Sequence, residues 1–444
     1  MTSLPNYADK YANKYAEKYA NKPPMSQTPA MNTAAVDTTN TAATESAAGS
    51  KIAAGRLLAI DAFRGLTILI MIFVNTLSGV RGIPAWAEHM PADVDGMTFV
   101  DVVFPAFLFI VGMSIPFALA QREAKGDSPL QVWKHIVLRA FGLIVLGVFM
   151  VNAEDGYNEA AMGMSITLWS LLFYGCAILV WSVHRFRNKA VSPALRGIGA
   201  IGLVMLACVF RGGQHGELYL APQWWGILGL IGWAYLIACV FYRATRGRTA
   251  WLIACLAACS AYFCVGHMNA LQGSDTLAIL FSQSDDASHS SIVLGGLITS
   301  LLFFGKNKAA TLTKRYAQAA ALAAALFAAG YLMRPYFKIS KIYATPTWCL
   351  YSAAICVVLF ALLYWIVDLK KIRGWLAFFK PAASDPLLTY IIPYIVYALM
   401  RYMHWDWPSV FDAGLPGVLF AAGYALAVIV LVRGLNRLHL RLQL

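Results

Sequence analysis

The sequence predicts an all-α membrane protein, a polytopic bundle of about 12 transmembrane helices (10 to 12) with both termini in the cytoplasm. Hydrophobic residues make up 59% of the chain and charged residues 13%, against roughly 45–50% and 25% in soluble domains. Apolar runs long enough to cross a bilayer recur from residue 57 to residue 433. Such runs must be helices, because a backbone in lipid has to satisfy its own hydrogen bonds.

The individual spans follow from these runs. We predict them at 57–78, 99–120, 135–152, 166–183, 196–210, 224–242, 250–270, 291–305, 316–333, 347–367, 387–400 and 416–432.

The distribution of Lys and Arg predicts the orientation. Of the 35 such residues, 27 lie in the two tails and in, or at the border of, the loops that follow even-numbered spans, six lie in the opposite loops, and Arg64 and Arg139 lie inside spans. Basic residues concentrate on the cytoplasmic side of membrane proteins. This distribution therefore predicts a topology with both ends inside. It also accounts for the net charge of +13, so we expect no nucleic-acid partner.

The N-terminal region, residues 1–55, differs from the rest. Residues 7–22 repeat the tetrad Tyr-Ala-x-Lys, and a stretch rich in Ala, Thr and Ser follows. This composition is typical of a disordered tail. The Lys residues could contact anionic membrane lipid, or the tail could be dispensable. Residues 56–444 form the predicted membrane domain.

Several classes of site find no support in the sequence. The eight cysteines lie within predicted spans without paired spacing, so we interpret them as packing residues. Neither a phosphate-binding glycine loop nor a Cys/His metal spacing occurs. We therefore predict no metal site.

The first span carries charges that need an explanation. Asp61 and Arg64 lie inside it, and Asn75 falls near its far end. On a helix these side chains share a stripe about 60° wide, and an ionised group within a membrane span needs a partner or a ligand. The stripe could line a path across the membrane, or Asp61 and Arg64 could pair and only lock neighbouring helices.

The loop after the first span contains His89, and Asp101 opens the second span. With Asn75, these residues place an amide, an imidazole and a carboxylate at one face of the membrane. An imidazole can act as a base or a nucleophile, a carboxylate can orient it, and an amide can stabilise an oxyanion. This set suits acyl transfer, although a loop histidine can also be merely solvated.

The segments IDAFRGLTILIMIFVN, His89 and DGMTFVDVVFPAFLFIVGMSIP resemble the heparan-alpha-glucosaminide N-acetyltransferase family and its bacterial relatives, once grouped as a domain of unknown function. The resemblance is densest over residues 57–116. It implies an enzyme that moves an acetyl group from cytoplasmic acetyl-CoA, as co-substrate, to the amine of a glucosamine across the membrane. The family's active-site histidine, asparagine and aspartate correspond to His89, Asn75 and Asp101.

From this resemblance we expect a bacterial inner-membrane N-acetyltransferase acting on an amino sugar or glycan. Asp61 and Arg64 would line the path of acetyl-CoA, and the family also implies a homodimer. The sequence departs from the family pattern at HMPADVDG, which is longer and lacks a tryptophan, and it lacks a later Arg-Ile-Pro-Gly-Val-Leu-Gln-Arg stretch. The identity of the acceptor, glucosamine or another molecule, thus stays open. Two alternative functions are a multi-pass transporter of a sugar or amino sugar and an O-acyltransferase of envelope polysaccharide.

Overall fold

A computed structural model describes residues 58–183, 190–267 and 281–444. The predicted disordered tail, residues 1–55, lies outside these ranges. Within them the regular secondary structure is helical, without a β-strand. The predicted fold class, a polytopic helix bundle, is confirmed.

The long helices match the predicted spans closely. Their bounds are α1 Leu58–Leu77, α2 Phe99–Ala124, α3 Pro129–Glu154, α4 Ile166–Trp181, α5 Val191–Val209, α6 Gly226–Ala244, α7 Thr249–Gly266, α8 Ser284–Phe304, α9 Leu312–Met333, α10 Pro346–Tyr364, α11 Leu376–Ser384, α12 Pro386–Tyr402 and α13 Gly414–Arg437. A π-helical turn, Trp365–Leu369, extends α10.

Ten helices in the described ranges are long and apolar enough to span a membrane, or eleven if α11 and α12 count as one bent span. The remaining apolar helix, α4, has 16 residues, which is about 24 Å at 1.5 Å per residue. It starts at the end of the bundle where α3 finishes. The backbone just beyond it, at Val183, pairs with Arg441 after α13 at the other end. Thus α4 also crosses the bundle.

The loops that follow α1, α9 and α12 meet at one end of the bundle. Arg81, after α1, exchanges backbone hydrogen bonds with Asp412, before α13, and with Gly414, the first residue of α13, at 2.8 Å each. The Ile339 amide, after α9, donates to Asp95 at 2.8 Å. This arrangement agrees with twelve alternating crossings. Which end faces the cytoplasm stays a prediction from the charge distribution.

Glycines set the closest helix crossings. Helix α8 lies at the centre, packed against α2, α6, α7 and α10. Where α2 and α8 cross, a methyl group on Gly112 would overlap the Val293 carbonyl, and one on Gly296 would overlap the Phe109 carbonyl. Small residues allow this approach of two backbones inside a membrane. The crossing fixes α2, which begins next to His89, against α8.

Two predicted spans differ from the observed helices. Helix α8 begins at Ser284 rather than at 291, because hydroxyls such as Ser290 Oγ bond to carbonyls of the preceding turn and lower the cost of burying a polar segment. The second difference is α11, which the span 387–400 omitted. It meets α12 at an angle of 83°, at a break where Asp385 accepts hydrogen bonds from the Leu388 and Leu442 amides.

Candidate active site

A cavity of about 500 Å³ opens at the end of the bundle where the loops after α1, α9 and α12 meet. Residues of α1, α2, α3, α6, α8, α10 and α12 line it, together with His89 and Lys341 from two loops. Pockets that bind small molecules usually measure about 300–1,000 Å³. The cavity is therefore large enough for a small-molecule substrate.

The central contact of the site joins His89 and Asp101. Nδ1 of His89 lies 2.7 Å from Oδ1 of Asp101, and the Asp101 side chain is 1% exposed. A carboxylate only accepts hydrogen bonds, so Nδ1 carries the hydrogen and the lone pair of the neutral ring is on Nε2. This arrangement gives an oriented imidazole that can act as a base or a nucleophile.

Local sequence explains why Asp101 is held so firmly. Thr98 is the N-cap of α2 and Asp101 is the third residue of the helix, so the two form a capping box. Oδ2 of Asp101 accepts the Thr98 amide at 3.0 Å and the Met90 amide at 3.2 Å. The Thr98 hydroxyl donates to the Glu88 carbonyl at 2.8 Å. The start of α2 and the His89 loop are thus one hydrogen-bonded unit.

Asn75 lines the same cavity from the last part of α1. Its side chain is exposed to the cavity. Within the part of the chain that the structure describes, no protein group hydrogen-bonds to its carboxamide. Asn75 can therefore donate to a bound carbonyl.

Lys341 is a component of the site that sequence reasoning did not connect to His89. Its Nζ lies 3.1 Å from Nδ1 and 3.3 Å from Nε2 of the imidazole. The two residues are 252 positions apart. A signal was present in the sequence, because three of the six basic residues in the loops after odd-numbered predicted spans, Arg334, Lys338 and Lys341, fall in this one loop. Arg334 instead pairs with Asp95, with 3.0 Å between Nε and Oδ2.

Burial and charge shift the ionisation of the two loop residues. Burial lowers the pKa of His89, and the Lys341 ammonium lowers it further, while Asp101 opposes both effects. Burial also lowers the pKa of Lys341 to about 8, with Asp101 again opposing. The imidazole is therefore mostly neutral at neutral pH, as a base or nucleophile must be.

The wall formed by α3 and α8 is acidic. Glu154, Asp285 and Asp286 line the cavity, as does His289. Nδ1 of His289 lies 2.8 Å from the Asp285 carbonyl, and its ring meets that of Trp348 edge-on at 5.9 Å. Sequence reasoning missed the α8 residues because that helix was predicted to begin at 291, whereas it begins at Ser284.

Aromatic rings add a third wall. Tyr390, Tyr394 and Tyr397 of α12 line the cavity, and the hydroxyls of the first two lie 3.1 Å apart. Aromatic faces next to carboxylates can bind a ligand that has apolar faces and a positive charge.

The structure does not place Asp61 and Arg64 in this cavity. Asp61 lines a separate cavity of about 210 Å³ between α1 and α11. Arg64 donates to Ser114 at 2.7 Å, to the Ala383 carbonyl at 3.3 Å and to Asp61 at 3.4 Å. The guanidinium group thus joins α1, α2 and α11.

No group of three or more His, Cys, Asp or Glu suited to a metal ion occurs in residues 58–183, 190–267 and 281–444.

Comparison with known proteins shows which family the chain belongs to. The sequence profile of a family described as a domain of unknown function (DUF5009) matches residues 56–277, half of the chain. The chain belongs to the DUF5009 family. The matched range contains Asp61, Arg64, Asn75, His89 and Asp101, whereas Lys341 and the tyrosines of α12 lie beyond it.

Two curated relatives add a named activity to the DUF5009 match. The chain is 39% identical over 100 residues to heparan-alpha-glucosaminide N-acetyltransferase of Mus musculus, and 36% identical over 97 residues to the Homo sapiens protein of that name. Each match covers 22% of this chain and 14% of the relative. These matches confirm the resemblance to the heparan-alpha-glucosaminide N-acetyltransferase family.

Proposed function

We propose that this protein is a transmembrane N-acetyltransferase that moves an acetyl group from cytoplasmic acetyl-CoA to the amine of an amino sugar at the opposite face of the membrane. The observation that carries the proposal is the hydrogen-bonded pair of His89 and Asp101 at the wall of a ligand-sized cavity. The partial similarity to named N-acetyltransferases supports it.

In the proposed reaction, the carboxylate of Asp101 fixes the imidazole of His89 with Nε2 as the reactive nitrogen. The carboxamide of Asn75 donates a hydrogen bond to the thioester oxygen as negative charge develops there. Asp101 also stabilises the imidazolium that forms when Nε2 takes up a proton or an acyl group.

Two routes fit this geometry. In one, Nε2 attacks the thioester carbon and the thiolate of CoA leaves. The acceptor amine then attacks the acetyl-imidazole, the imidazole of His89 leaves unchanged, and the proton lost by the amine goes to the thiolate. In the other, Nε2 removes a proton from the amine while the amine attacks the thioester carbon directly, and the thiolate of CoA leaves and takes up that proton from Nε2. Detection of acetylated His89 by mass spectrometry, with acetyl-CoA present and acceptor omitted, would distinguish the two.

The position of α1 supports a proposal for the donor and acceptor sides. Asp61 and Asn75 lie 14 residues apart on this helix, which is about 21 Å. We propose that acetyl-CoA approaches from the Asp61 and Arg64 end. The acetyl group then meets the acceptor in the larger cavity, where Glu154, Asp285 and the tyrosine rings would hold the amino sugar through hydrogen bonds and contacts with the faces of the rings.

The setting follows from the same proposal. The protein would lie in a bacterial inner membrane in contact with lipid, as a homodimer, with an amino sugar or an envelope glycan as acceptor.

A transfer assay tests the proposed function. Purified protein in liposomes receives radiolabelled acetyl-CoA and glucosamine, and the product is analysed by chromatography and mass spectrometry. We expect labelled N-acetylglucosamine, and we expect His89→Ala to reduce its formation by about 10²–10⁴-fold. The matched control is His215→Gln, because His215 is an exposed histidine in another loop.

Other outcomes would replace the proposal. An acetyl ester in place of an amide would indicate an O-acyltransferase. Uptake of labelled sugar without acetyl-CoA, together with no acetylated product, would indicate a transporter. Normal turnover by the His89→Ala variant would refute the role of this histidine.

A further inference from the structure

The loop between α9 and α10 is fixed to the loop that carries His89. The Ile339 amide donates to Asp95 Oδ1 at 2.8 Å, and the Ser340 hydroxyl donates to the Ala92 carbonyl at 2.8 Å. The Ile339 carbonyl in turn accepts the Gly96 amide at 3.2 Å. These bonds immediately precede Lys341, so the backbone that presents its side chain has a defined position.

The Lys341 ammonium contacts the imidazole at hydrogen-bond distance from both ring nitrogens, 3.1 Å and 3.3 Å. The Nδ1 hydrogen is engaged by Asp101 at 2.7 Å, so the lone pair of the neutral ring is on Nε2, and the ammonium lies close to both nitrogens. If His89 were protonated, two positive groups would be in contact in a partly buried place. A like charge this close disfavours the charged form of an ionisable group.

Other ionisable groups also face this cavity and could affect the ionisation of His89. They are Glu154 of α3, Asp285, Asp286 and His289 of α8, the tyrosines 390, 394 and 397 of α12, and Asp101 of α2. Glu88 precedes His89 in its own loop, where Asp95 pairs with Arg334. Asp101 favours the imidazolium and Lys341 disfavours it, so the two opposite charges compete directly at the ring.

We propose that Lys341 is a positioning residue that keeps His89 neutral by balancing the charge of Asp101. This inference rests on the proposed function, in which Nε2 must offer a lone pair. Without Lys341, the buried carboxylate would favour a stable ion pair with a protonated imidazole, and that imidazolium could act neither as a base nor as a nucleophile.

A chemical titration tests the inference without any measurement of acetyl transfer. Diethyl pyrocarbonate modifies neutral imidazole, so the rate at which the His89 peptide is modified, followed by mass spectrometry against pH, reports the ionisation of this residue. The variants are Lys341→Met, Lys341→Gln and Lys341→Arg. Lys338→Met is the matched control, because Lys338 is an exposed lysine in the same loop.

We expect Lys341→Met and Lys341→Gln to raise the midpoint of the His89 profile by about one pH unit or more, since they remove a like charge. Lys341→Arg and Lys338→Met should leave it near the wild-type value. An unchanged midpoint in the two neutral variants would overturn the inference. If neither neutral variant folds, a wild-type midpoint above the ordinary value of about 6.5 would also overturn it.

The acetyl-transfer rate provides a second, separate readout. The acid limb of its pH profile should move in the same direction in Lys341→Met and be restored in Lys341→Arg. A shifted His89 titration in a protein that transfers no acetyl group would uphold the role of Lys341 and reject the proposed function, so the two failures are distinguishable.

Discussion

At the scale of single residues, the site depends on a carboxylate that has two roles. Asp101 caps α2 with one oxygen and orients His89 with the other. Because the capping box makes the carboxylate part of the helix end, the position of the imidazole is fixed relative to α2. A substitution at this position would therefore affect both helix stability and the chemistry of His89.

If His89 acts as proposed, the pH dependence of acetyl transfer follows from its lowered pKa. Burial and Lys341 favour the neutral ring, so the reactive form is present at neutral pH and is lost as the pH falls through the lowered pKa. We expect kcat/KM to rise with pH and to level off with a midpoint below about 6.5. In Asp101→Asn the midpoint should be lower still, because the charge that favours the imidazolium is gone, and a midpoint above that of the wild type would contradict this account.

Asn75 allows a more specific test. Asn75→Ala removes the proposed donor to the thioester oxygen and leaves His89 in place. We expect kcat to fall by about 10²–10³-fold, the usual cost of losing one oxyanion donor, with an unchanged pH midpoint. Steady-state kinetics of acetyl transfer provide the measurement. A rise in KM at constant kcat would mean that Asn75 only binds substrate.

The pairing of His89 with Asp101 could be expected from the sequence because only 12 residues separate them and the second span begins between them. Lys341 could not be connected in the same way. Its contact depends on how two loops dock, which no local periodicity encodes, and a distance of 252 residues leaves many arrangements of helices possible.

At the scale of helices, predicted spans and observed helices agree where long apolar runs dominate, as in α1. They differ where polar groups are satisfied internally. The segment Ser284–Ser291 is polar in sequence, yet it is helical and largely buried, because serine hydroxyls bond to helix carbonyls. The bend between α11 and α12 was missed because Asp385 stabilises it through the Leu442 amide at the C-terminus.

The crossing of α2 and α8 predicts a stability effect. Gly112→Ala or Gly296→Ala would force a methyl group into a backbone carbonyl of the facing helix, so we expect a loss of stability of at least about 1–3 kcal/mol. Thermal unfolding followed by size-exclusion chromatography in detergent would measure it.

Gly175→Ala is the matched control for this pair, because a methyl group at that helical position meets no atom within 4 Å. An equal thermal stability of the Gly112→Ala variant and the control would show that the two helices can move apart at little cost.

At the scale of the whole molecule, the predicted orientation has a direct test. Single cysteines replace Gln214, in a loop at the cavity end, or Arg246, in a loop at the opposite end, in a variant whose eight native cysteines are removed. If both termini are cytoplasmic, a membrane-impermeant maleimide added to intact cells should label the first position only. Labelling confined to the second position would invert the topology and place His89 in the cytoplasm.

The contact between His89 and Lys341 also has a consequence for biosynthesis. A helical membrane protein enters the bilayer from its N-terminus onward, so α1 and α2 are in place long before the loop that follows α9 has been translated. Until that late segment docks, the imidazole would face Asp101 alone. If His89 and Lys341 act as proposed, the contact that keeps the imidazole neutral would form only late in synthesis, and a chain that ended before α9 would lack it.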